Sequence, residues 1–275
     1  MIQVERQLLT TSTLSRRKAI VKICVLASSS SGNSTFVGTE TTRILIDAGL
    51  SKREIFARLA AIGESPEDLD AVVISHEHSD HVCGLIPLLR ELRIPVYFSR
   101  LTAPAIAWGE FEPTIESFQS GECLTIGDME IDTFTIPHDA IDPVAFCVRA
   151  DGVKIGIVTD LGYIPYSIQV HLRGADFLLL ESNHDLEMLK VGPYPWSVKQ
   201  RVMGRKGHLS NDAVSDFICD AMDSTVSTLV LGHLSTHNNY PATVELIASQ
   251  ALSRRSLSTR LIVSEPKQQS EVFSY

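Results

Sequence analysis

The sequence lacks the features that mark membrane, secreted and repeat proteins. Its 275 residues contain no repeat of fixed period. They also contain no apolar run of the roughly 20 residues that a helix needs to cross a bilayer. Residues 1–17 alternate polar and apolar side chains without a continuous hydrophobic segment, which does not fit a secretory signal. We therefore expect neither a membrane span nor a secretory leader.

Cysteine is scarce and is not arranged in pairs. The five cysteines are scattered, their number is odd and no CxxC pair occurs, so the pattern indicates neither a disulfide framework nor a zinc knuckle. Most lie in apolar contexts, which is typical of buried thiols. The positions are Cys24, Cys83, Cys123, Cys147 and Cys219. This usage predicts a reducing, cytoplasmic location.

Positive charge is also in short supply. The chain has 24 Lys and Arg against 33 Asp and Glu, for a formal net charge of −9. This balance argues against a protein that coats nucleic acid, which would carry a basic surface. It does not exclude a nuclease, because bound divalent cations reverse the local sign of the charge in an acidic cleft.

The length and the apolar content allow a large core. Apolar residues make up 44% of the chain, and its length fits a single α/β domain. We assign residues 19–275 to this domain. Residues 1–18, rich in Thr, Ser and Arg, are expected to form a flexible N-terminal extension.

Hydrophobic periodicity predicts alternating bunches of strands and helices. Strands are predicted near residues 20–26, 34–38, 43–47, 71–75, 129–136, 144–150, 153–159, 176–180, 228–231 and 261–263. Helices are predicted near residues 51–62, 84–93, 166–172, 196–204, 210–222 and 241–252. Periodicity alone establishes no more than an α/β protein.

The most informative segment is the run from Ser75 to His81. It places three histidines and an aspartate, His76, His78, Asp80 and His81, directly after an apolar stretch. Imidazole and carboxylate groups at such short spacing suit a borderline divalent cation such as zinc or manganese. With four such groups so close together, some can bind one ion and some a second. A polar turn after a buried strand is the alternative.

Other ligand-type residues follow strand-like runs elsewhere in the chain. Asp47, His138, Asp160 and His233 each stand at the end of such a run. Ligands in α/β proteins usually lie at strand ends. Because these residues are far apart in the chain, only the fold can bring them together.

The HxHxDH pattern at residues 76–81 and the order of these strand-end residues resemble the metallo-β-lactamase superfamily. The resemblance implies a four-layer αββα sandwich, an α/β (α+β) fold of two mixed sheets flanked by helices. It also implies two divalent ions, Zn²⁺ or Mn²⁺, that share a hydroxide. By the same resemblance, the first ion is bound by His76, His78 and His138, the second by Asp80, His81 and His233, and both by Asp160. Asp47 is expected to accept a hydrogen bond from a ligating imidazole.

Residues 179–210 are similar to the nucleic-acid-processing branch of this superfamily, which includes ribonuclease Z. The match lies in the sequence Gly207-His208-Leu209-Ser210 and in Glu181. It implies that His208 is a general acid held by Glu181, and that Asp80 also belongs to the catalytic set. The alternative for His208 is a residue at a helix entry. For His184, a role in the site and a local structural hydrogen bond stay equally open.

A basic stretch before His208 indicates a phosphate substrate. It contains Lys199, Arg201, Arg205 and Lys206, with Trp196 nearby. On one helix, Arg201 and Arg205 would share a face and could bind phosphates, while Trp196 could stack on a frayed base. A solvated helix face with a core tryptophan is the alternative. The serine-rich segment from Ser28 to Ser34 fits a phosphate-binding loop and an ordinary turn equally well.

Taken over residues 20–240, the chain is most similar to the YycJ/WalJ-type subfamily. This resemblance implies a metal-dependent nuclease that degrades double-stranded DNA from the 5′ end and is linked to mismatch repair. Three alternatives stay open. They are a phosphodiesterase acting on small or cyclic phosphates, a thioester or lactone hydrolase, and a metal-binding regulatory protein without turnover.

Overall fold

The computed structural model describes residues 20–266 and 268–275, so the predicted extension at residues 1–18 lies outside the described part of the chain. The described residues form two β-sheets with helices on their outer faces. The strands are β1 (Lys22–Ser29), β2 (Gly32–Gly38), β3 (Arg43–Ile46), β4 (Ala71–Val73), β5 (Val96–Ser99), β6 (Ile115–Phe118), β7 (Cys123–Ile126), β8 (Met129–Thr135), β9 (Val144–Ala150), β10 (Val153–Val158), β11 (Phe177–Glu181), β12 (Thr228–Gly232), β13 (Arg260–Val263) and β14 (Phe273–Ser274). The α-helices are α1 (Lys52–Ala61), α2 (Ser79–Val82), α3 (Leu85–Leu92), α4 (Tyr166–Leu172), α5 (Leu186–Val191), α6 (Trp196–Val202), α7 (Asn211–Asp220) and α8 (Pro241–Arg254).

Each sheet has seven strands. The first runs in the order β14-β1-β2-β3-β4-β5-β6, and the second in the order β13-β12-β11-β10-β9-β8-β7. In the first sheet β3, β4, β5 and β6 are parallel, and in the second β10, β11, β12 and β13 are parallel. The other pairs are antiparallel. Both sheets are therefore mixed.

The central strands of both sheets bury both of their faces, which explains their continuous apolar runs. In β1, Ile23 and Val25 belong to the core between the sheets, whereas Cys24 and Leu26 belong to the core beneath α1 and α3. In the second sheet β11 alternates in the same way between the inner core and the core beneath α4, α7 and α8. This period of two builds four layers in the order helix, sheet, sheet, helix.

The helices form where capping signals and helical periodicity coincide. Ser51 and Ser210 accept hydrogen bonds from the backbone N–H three residues ahead, at the starts of α1 and α7. α3 buries Leu85, Leu88 and Leu89 along one stripe, and it begins after Gly84 as predicted. Helices of this kind cover a sheet with one apolar face and expose the other.

The predicted four-layer fold is confirmed. The predicted strands and helices are present, but the sequence did not reveal β5, β6, β7, β14, α2 or α5. These elements are short, and β6 and β7 are largely exposed, so they lack the apolar runs on which the prediction depends. In the described ranges, no helix has both the length and the apolar character of a membrane span.

Candidate metal centre and cleft

The ligand-type residues meet where strands from both sheets end. Asp47 follows β3, Asp160 comes two residues after β10, and His233 follows β12 directly. All three adopt left-handed backbone conformations, with φ of 62°, 62° and 56°. Non-glycine residues rarely adopt this region, and such strain concentrates at functional sites. The backbone thus turns sharply at each strand end and brings these side chains to one edge.

The three histidines predicted to bind the first ion lie together. The ligand atoms of His76, His78 and His138 are within 4.8 Å of one another. His78 Nδ1 and His138 Nε2 are 3.2 Å apart, and the His76 and His138 rings meet edge to face. Burial holds the pKa of His76 well below its usual range and also lowers that of His138. Neutral imidazoles offer lone pairs to a cation.

The second set also converges. One ligand atom from each of Asp80, His81, Asp160 and His233 lies within 4.8 Å of the others. Asp160 reaches both sets, because its Oδ1 is 3.4 Å from His233 Nε2 and 3.8 Å from His138 Nε2. Asp160 therefore lies between the two sets, within reach of residues from both.

These residues fit divalent cations. His76 Nε2 is buried and has no hydrogen-bond partner within the described residues. Burial disfavours charge on His233, yet Asp160, Asp80 and Glu181 raise its pKa to about 10. The carboxylates thus create a field that favours positive charge at this point, and the donor set of imidazoles and carboxylates suits zinc or manganese.

Asp47 and Asn33 orient residues of the second set through hydrogen bonds. Asp47 Oδ2 is 2.8 Å from His81 Nδ1, and Asp47 also accepts hydrogen bonds from Ser75. This contact leaves His81 Nε2 facing Asp160, as expected of a hydrogen bond that fixes the tautomer. Asn33 Nδ2 lies 3.3 Å from Asp80 Oδ2 and 3.0 Å from His81 Nε2. Sequence reasoning treated Asn33 only as part of a serine-rich loop.

Close backbone packing fixes Asp80 in place. A Cβ atom on Gly49 would lie 1.7 Å from Asp80 O, and a Cβ atom on Gly32 would lie 2.7 Å from Gly49 O. Only glycine at both positions lets the β1–β2 hairpin, the loop after β3 and α2 meet. In the sequence, the glycine that follows Asp47-Ala48 indicates that another backbone segment packs closely at this point.

Glu181 holds two imidazoles with one carboxylate oxygen. Its Oε1 is 2.7 Å from His208 Nδ1 and 2.8 Å from His233 Nδ1. Its Oε2 accepts the backbone N–H of Leu161 and Leu209. Burial opposes its ionisation, but His208 and His233 lower the pKa of Glu181 to about 2. Both histidines therefore carry their Nδ1 proton toward Glu181 and present Nε2 on the other side.

A cleft of about 210 Å³ opens over these groups. Its lining includes Ser30, Asp139, Val198, Arg201 and His208, besides members of both ligand sets. Burial lowers the pKa of His208, but the Glu181 carboxylate outweighs it, and the pKa is raised overall. His208 therefore lines the cleft with a raised pKa and is protonated more readily than a free histidine.

The basic stretch is arranged differently from the prediction. α6 ends at Val202, so Arg205 lies beyond the helix and does not share a helical face with Arg201. Arg201 lines the cleft, where its Nε donates to Asp139. The Arg205 guanidinium lies 4.5 Å from the centre of the Tyr163 ring, outside the cleft lining.

Three other predicted substrate-binding residues also lie away from the cleft. Lys199 is buried, and its Nζ donates to Lys190 O at 2.7 Å. Lys206 is exposed but is not part of the lining. Trp196 is 60% exposed and precedes the cleft-facing Val198 by two residues, which rotates it about 200° around the helix axis. It therefore neither faces the cleft nor belongs to the core.

His184 is buried beneath the site. It forms an isolated parallel bridge with Ser210, and within the described residues neither ring nitrogen has a hydrogen-bond partner. Burial lowers its pKa to about 4. The His184 imidazole is therefore neutral and does not line the cleft. Its side chain also lacks the local hydrogen bond that was the alternative in the sequence analysis.

Comparisons with known proteins agree with this site. A family model described as a beta-lactamase superfamily domain matches residues 42–234. Exodeoxyribonuclease WalJ of Streptococcus pneumoniae is 35% identical over 241 residues, covering 86% of this chain and 90% of the relative. Exodeoxyribonuclease YycJ of Bacillus anthracis is 34% identical, covering 84% and 89%.

Solved structures share the fold at low sequence identity. The metallo-beta-lactamase fold protein YhfI from Bacillus subtilis has a TM-score of 0.70 and 18% identity, covering 94% of this chain and all of that one. The short form of human tRNase Z has a TM-score of 0.63 and 16% identity, covering 91% and 98%. The resemblance inferred from the histidine cluster is confirmed, and the chain belongs to the metallo-β-lactamase superfamily, in the family of the WalJ and YycJ proteins.

Proposed function

We propose that this protein is a metal-dependent exonuclease that hydrolyses phosphodiester bonds of double-stranded DNA in the 5′ to 3′ direction. The observation that carries the proposal is His208, held by Glu181 at the cleft beside both ligand sets. A DNA strand leaves as an alkoxide, which needs a proton, whereas a thiolate does not. A proton donor at this point therefore favours phosphodiester over thioester hydrolysis. The named activity of the WalJ and YycJ relatives supports the same choice.

The residues of the site divide the work of this reaction. Two divalent cations, zinc or manganese, would be held by the two ligand sets and would supply Lewis-acid stabilisation and an activated water. Glu181 keeps the Nδ1 proton of His208 in place, so Nε2 delivers the second proton to the leaving oxygen. Asp47 and Asn33 hold His81 in its orientation. The proposal includes a cytoplasmic location, because the five cysteines are free thiols, which a reducing compartment maintains.

A phosphodiesterase for small substrates is the second candidate. It is favoured by the position of Lys199, Arg205, Lys206 and Trp196, which leaves Arg201 as the cationic side chain in the cleft lining. The ion pair with Asp139 further reduces the attraction of Arg201 for a long anionic substrate.

One panel of substrates separates these functions. We expect protein reconstituted with Mn²⁺ or Zn²⁺ to shorten duplex DNA labelled at either end, with products showing loss from the 5′ end. Single-stranded DNA, RNA and bis(p-nitrophenyl) phosphate complete the panel. Cleavage of the small phosphodiester alone would support the second candidate, and no cleavage of any substrate would refute both.

Arg201 provides a test of phosphate binding. We expect Arg201→Ala to weaken binding of duplex DNA and to reduce the slope of log K against log salt by about one, because one phosphate contact is lost. Binding is measured by fluorescence anisotropy at several salt concentrations. Arg254→Ala is the matched control, since Arg254 is exposed on α8 and lies outside the cleft lining. Equal slopes for the two variants would exclude Arg201 as a phosphate contact.

A further inference from the structure

The tip of the β1–β2 hairpin reaches into the cleft. The turn from Ser29 to Gly32 joins the two strands, and Ser30 lines the cleft together with Asp80 and His233. Ser30 is exposed, and its side chain makes no hydrogen bond to another described residue. It thus presents an unpaired hydroxyl to whatever enters the cleft.

The turn itself is fixed by its own side chains. Asn33 Oδ1 accepts the backbone N–H of Ser29 at 3.1 Å, and Asn33 Nδ2 donates to Ser29 O at 3.1 Å. Ser29 Oγ accepts the backbone N–H of Ser31. The residues on either side of Ser30, Ser29 and Ser31, are therefore held by hydrogen bonds. These bonds define the orientation of the turn, although the Ser30 hydroxyl itself is unpaired.

The hairpin is also anchored to ligand-bearing segments of both sheets. Ser28 Oγ accepts the backbone N–H of His233 at 2.9 Å, and Ser29 pairs with Leu234 in an isolated parallel bridge. Asn33 contacts Asp80, which belongs to the first half of the chain. These contacts hold Ser30 at a defined position beside the second ligand set, and such preorganisation is what a substrate-positioning group requires.

Ser30 and Arg201 belong to different parts of the cleft. Arg201 pairs with Asp139, which adjoins His138 of the first ligand set. Ser30 follows Ser29, which bridges to Leu234, the residue after His233 of the second set. A strand that crosses the cleft would meet a cationic side chain at one end and a neutral hydroxyl donor at the other.

We propose that Ser30 binds a non-bridging oxygen of the phosphate next to the scissile one, and so makes the enzyme select a polynucleotide over an isolated phosphodiester. This inference rests on the proposed nuclease function. A serine hydroxyl is a common partner of backbone phosphates. A hydroxyl can donate a hydrogen bond to phosphate and carries no charge. It therefore leaves unchanged the negative potential with which Asp80 and Asp160 favour cations.

The test compares two substrates for each variant. For Ser30→Ala we expect the ratio of kcat/KM on duplex DNA to kcat/KM on bis(p-nitrophenyl) phosphate to fall about tenfold, because a hydrogen bond to a charged group is lost. Ser30→Thr, which retains the hydroxyl, should keep most of the ratio. Ser31→Ala is the matched control from the same turn, since its hydroxyl contacts Ser29. Metal content, measured by mass spectrometry, should be the same in all variants.

A modified substrate locates the contact. A methylphosphonate next to the scissile phosphate should lower duplex cleavage by the wild-type protein about tenfold, and the loss should be absent in Ser30→Ala, which has already lost the contact. Two results would overturn the assignment of Ser30 and leave the nuclease proposal intact. One is an unchanged ratio of the two kcat/KM values in Ser30→Ala. The other is a methylphosphonate loss in Ser30→Ala as large as in the wild type, so that the two losses add. A wild-type protein that cleaves only the small phosphodiester would overturn the nuclease proposal and this inference with it.

Discussion

Replacing His208 by alanine is expected to lower kcat on duplex DNA by about 10²–10⁴, the usual contribution of a positioned general acid. The metal content should stay at the wild-type level, because the Nδ1 atom of His208 is bound to Glu181 and the two ligand sets are complete without it. Steady-state kinetics and elemental analysis on the same preparation measure both quantities.

A change of leaving group distinguishes acid catalysis from structural damage. p-Nitrophenolate leaves without a proton, so the loss in His208→Ala should be much smaller on bis(p-nitrophenyl) phosphate than on DNA. His237→Ala is the control, since His237 is exposed and contacts Tyr194 and Thr236 outside the cleft lining. Wild-type turnover of DNA by His208→Ala, or equal losses on both substrates, would remove the assigned role.

Replacing His78 by alanine is expected to abolish metal binding at the first ligand set and activity with it. His78 supplies one of three imidazoles there, and its Nδ1 faces His138 Nε2 at 3.2 Å. Even the loss of a group that merely orients a ligand costs about 10- to 100-fold in affinity, so the loss of a ligand should cost more. Titration with Mn²⁺ and Zn²⁺ by calorimetry gives the number of sites and their affinities.

The adjacent Glu77 offers a matched control for this experiment. Its Oε1 accepts the backbone N–H of Ile141 at 3.0 Å, and it belongs to neither ligand set. Glu77→Gln should therefore bind both ions as the wild type does. If His78→Ala retains full metal content and activity, the assignment of the first site is wrong.

The convergence of the candidate ligand residues could be predicted because the signal of each one is local. Each follows a buried strand, and the run from His76 to His81 is dense enough to stand out alone. The fold followed from the same pattern through the family resemblance. Strand-end positions also constrain where a side chain can lie, since parallel strands end at one edge of a sheet.

Of the predicted substrate-binding residues, Arg201 lines the cleft, but the positions of the others could not be predicted in this way, because they depend on contacts between distant segments. The sequence pattern predicted that Arg201 and Arg205 share a basic helix face, but α6 ends at Val202. Lys199 turns inward to donate to Lys190 O, a carbonyl that no periodicity reveals. Asn33 is equally hidden, since its contacts with Asp80 and His81 span more than 40 residues of chain.

The division of the ligands between the two sheets has a consequence for biosynthesis. His76, His78, Asp80 and His81 come from the first sheet, and His138, Asp160 and His233 come from the second. Neither candidate ligand set is supplied by one sheet alone. The complete set of donors therefore cannot form during synthesis until His233, which directly follows β12, has been made and has folded against the first sheet.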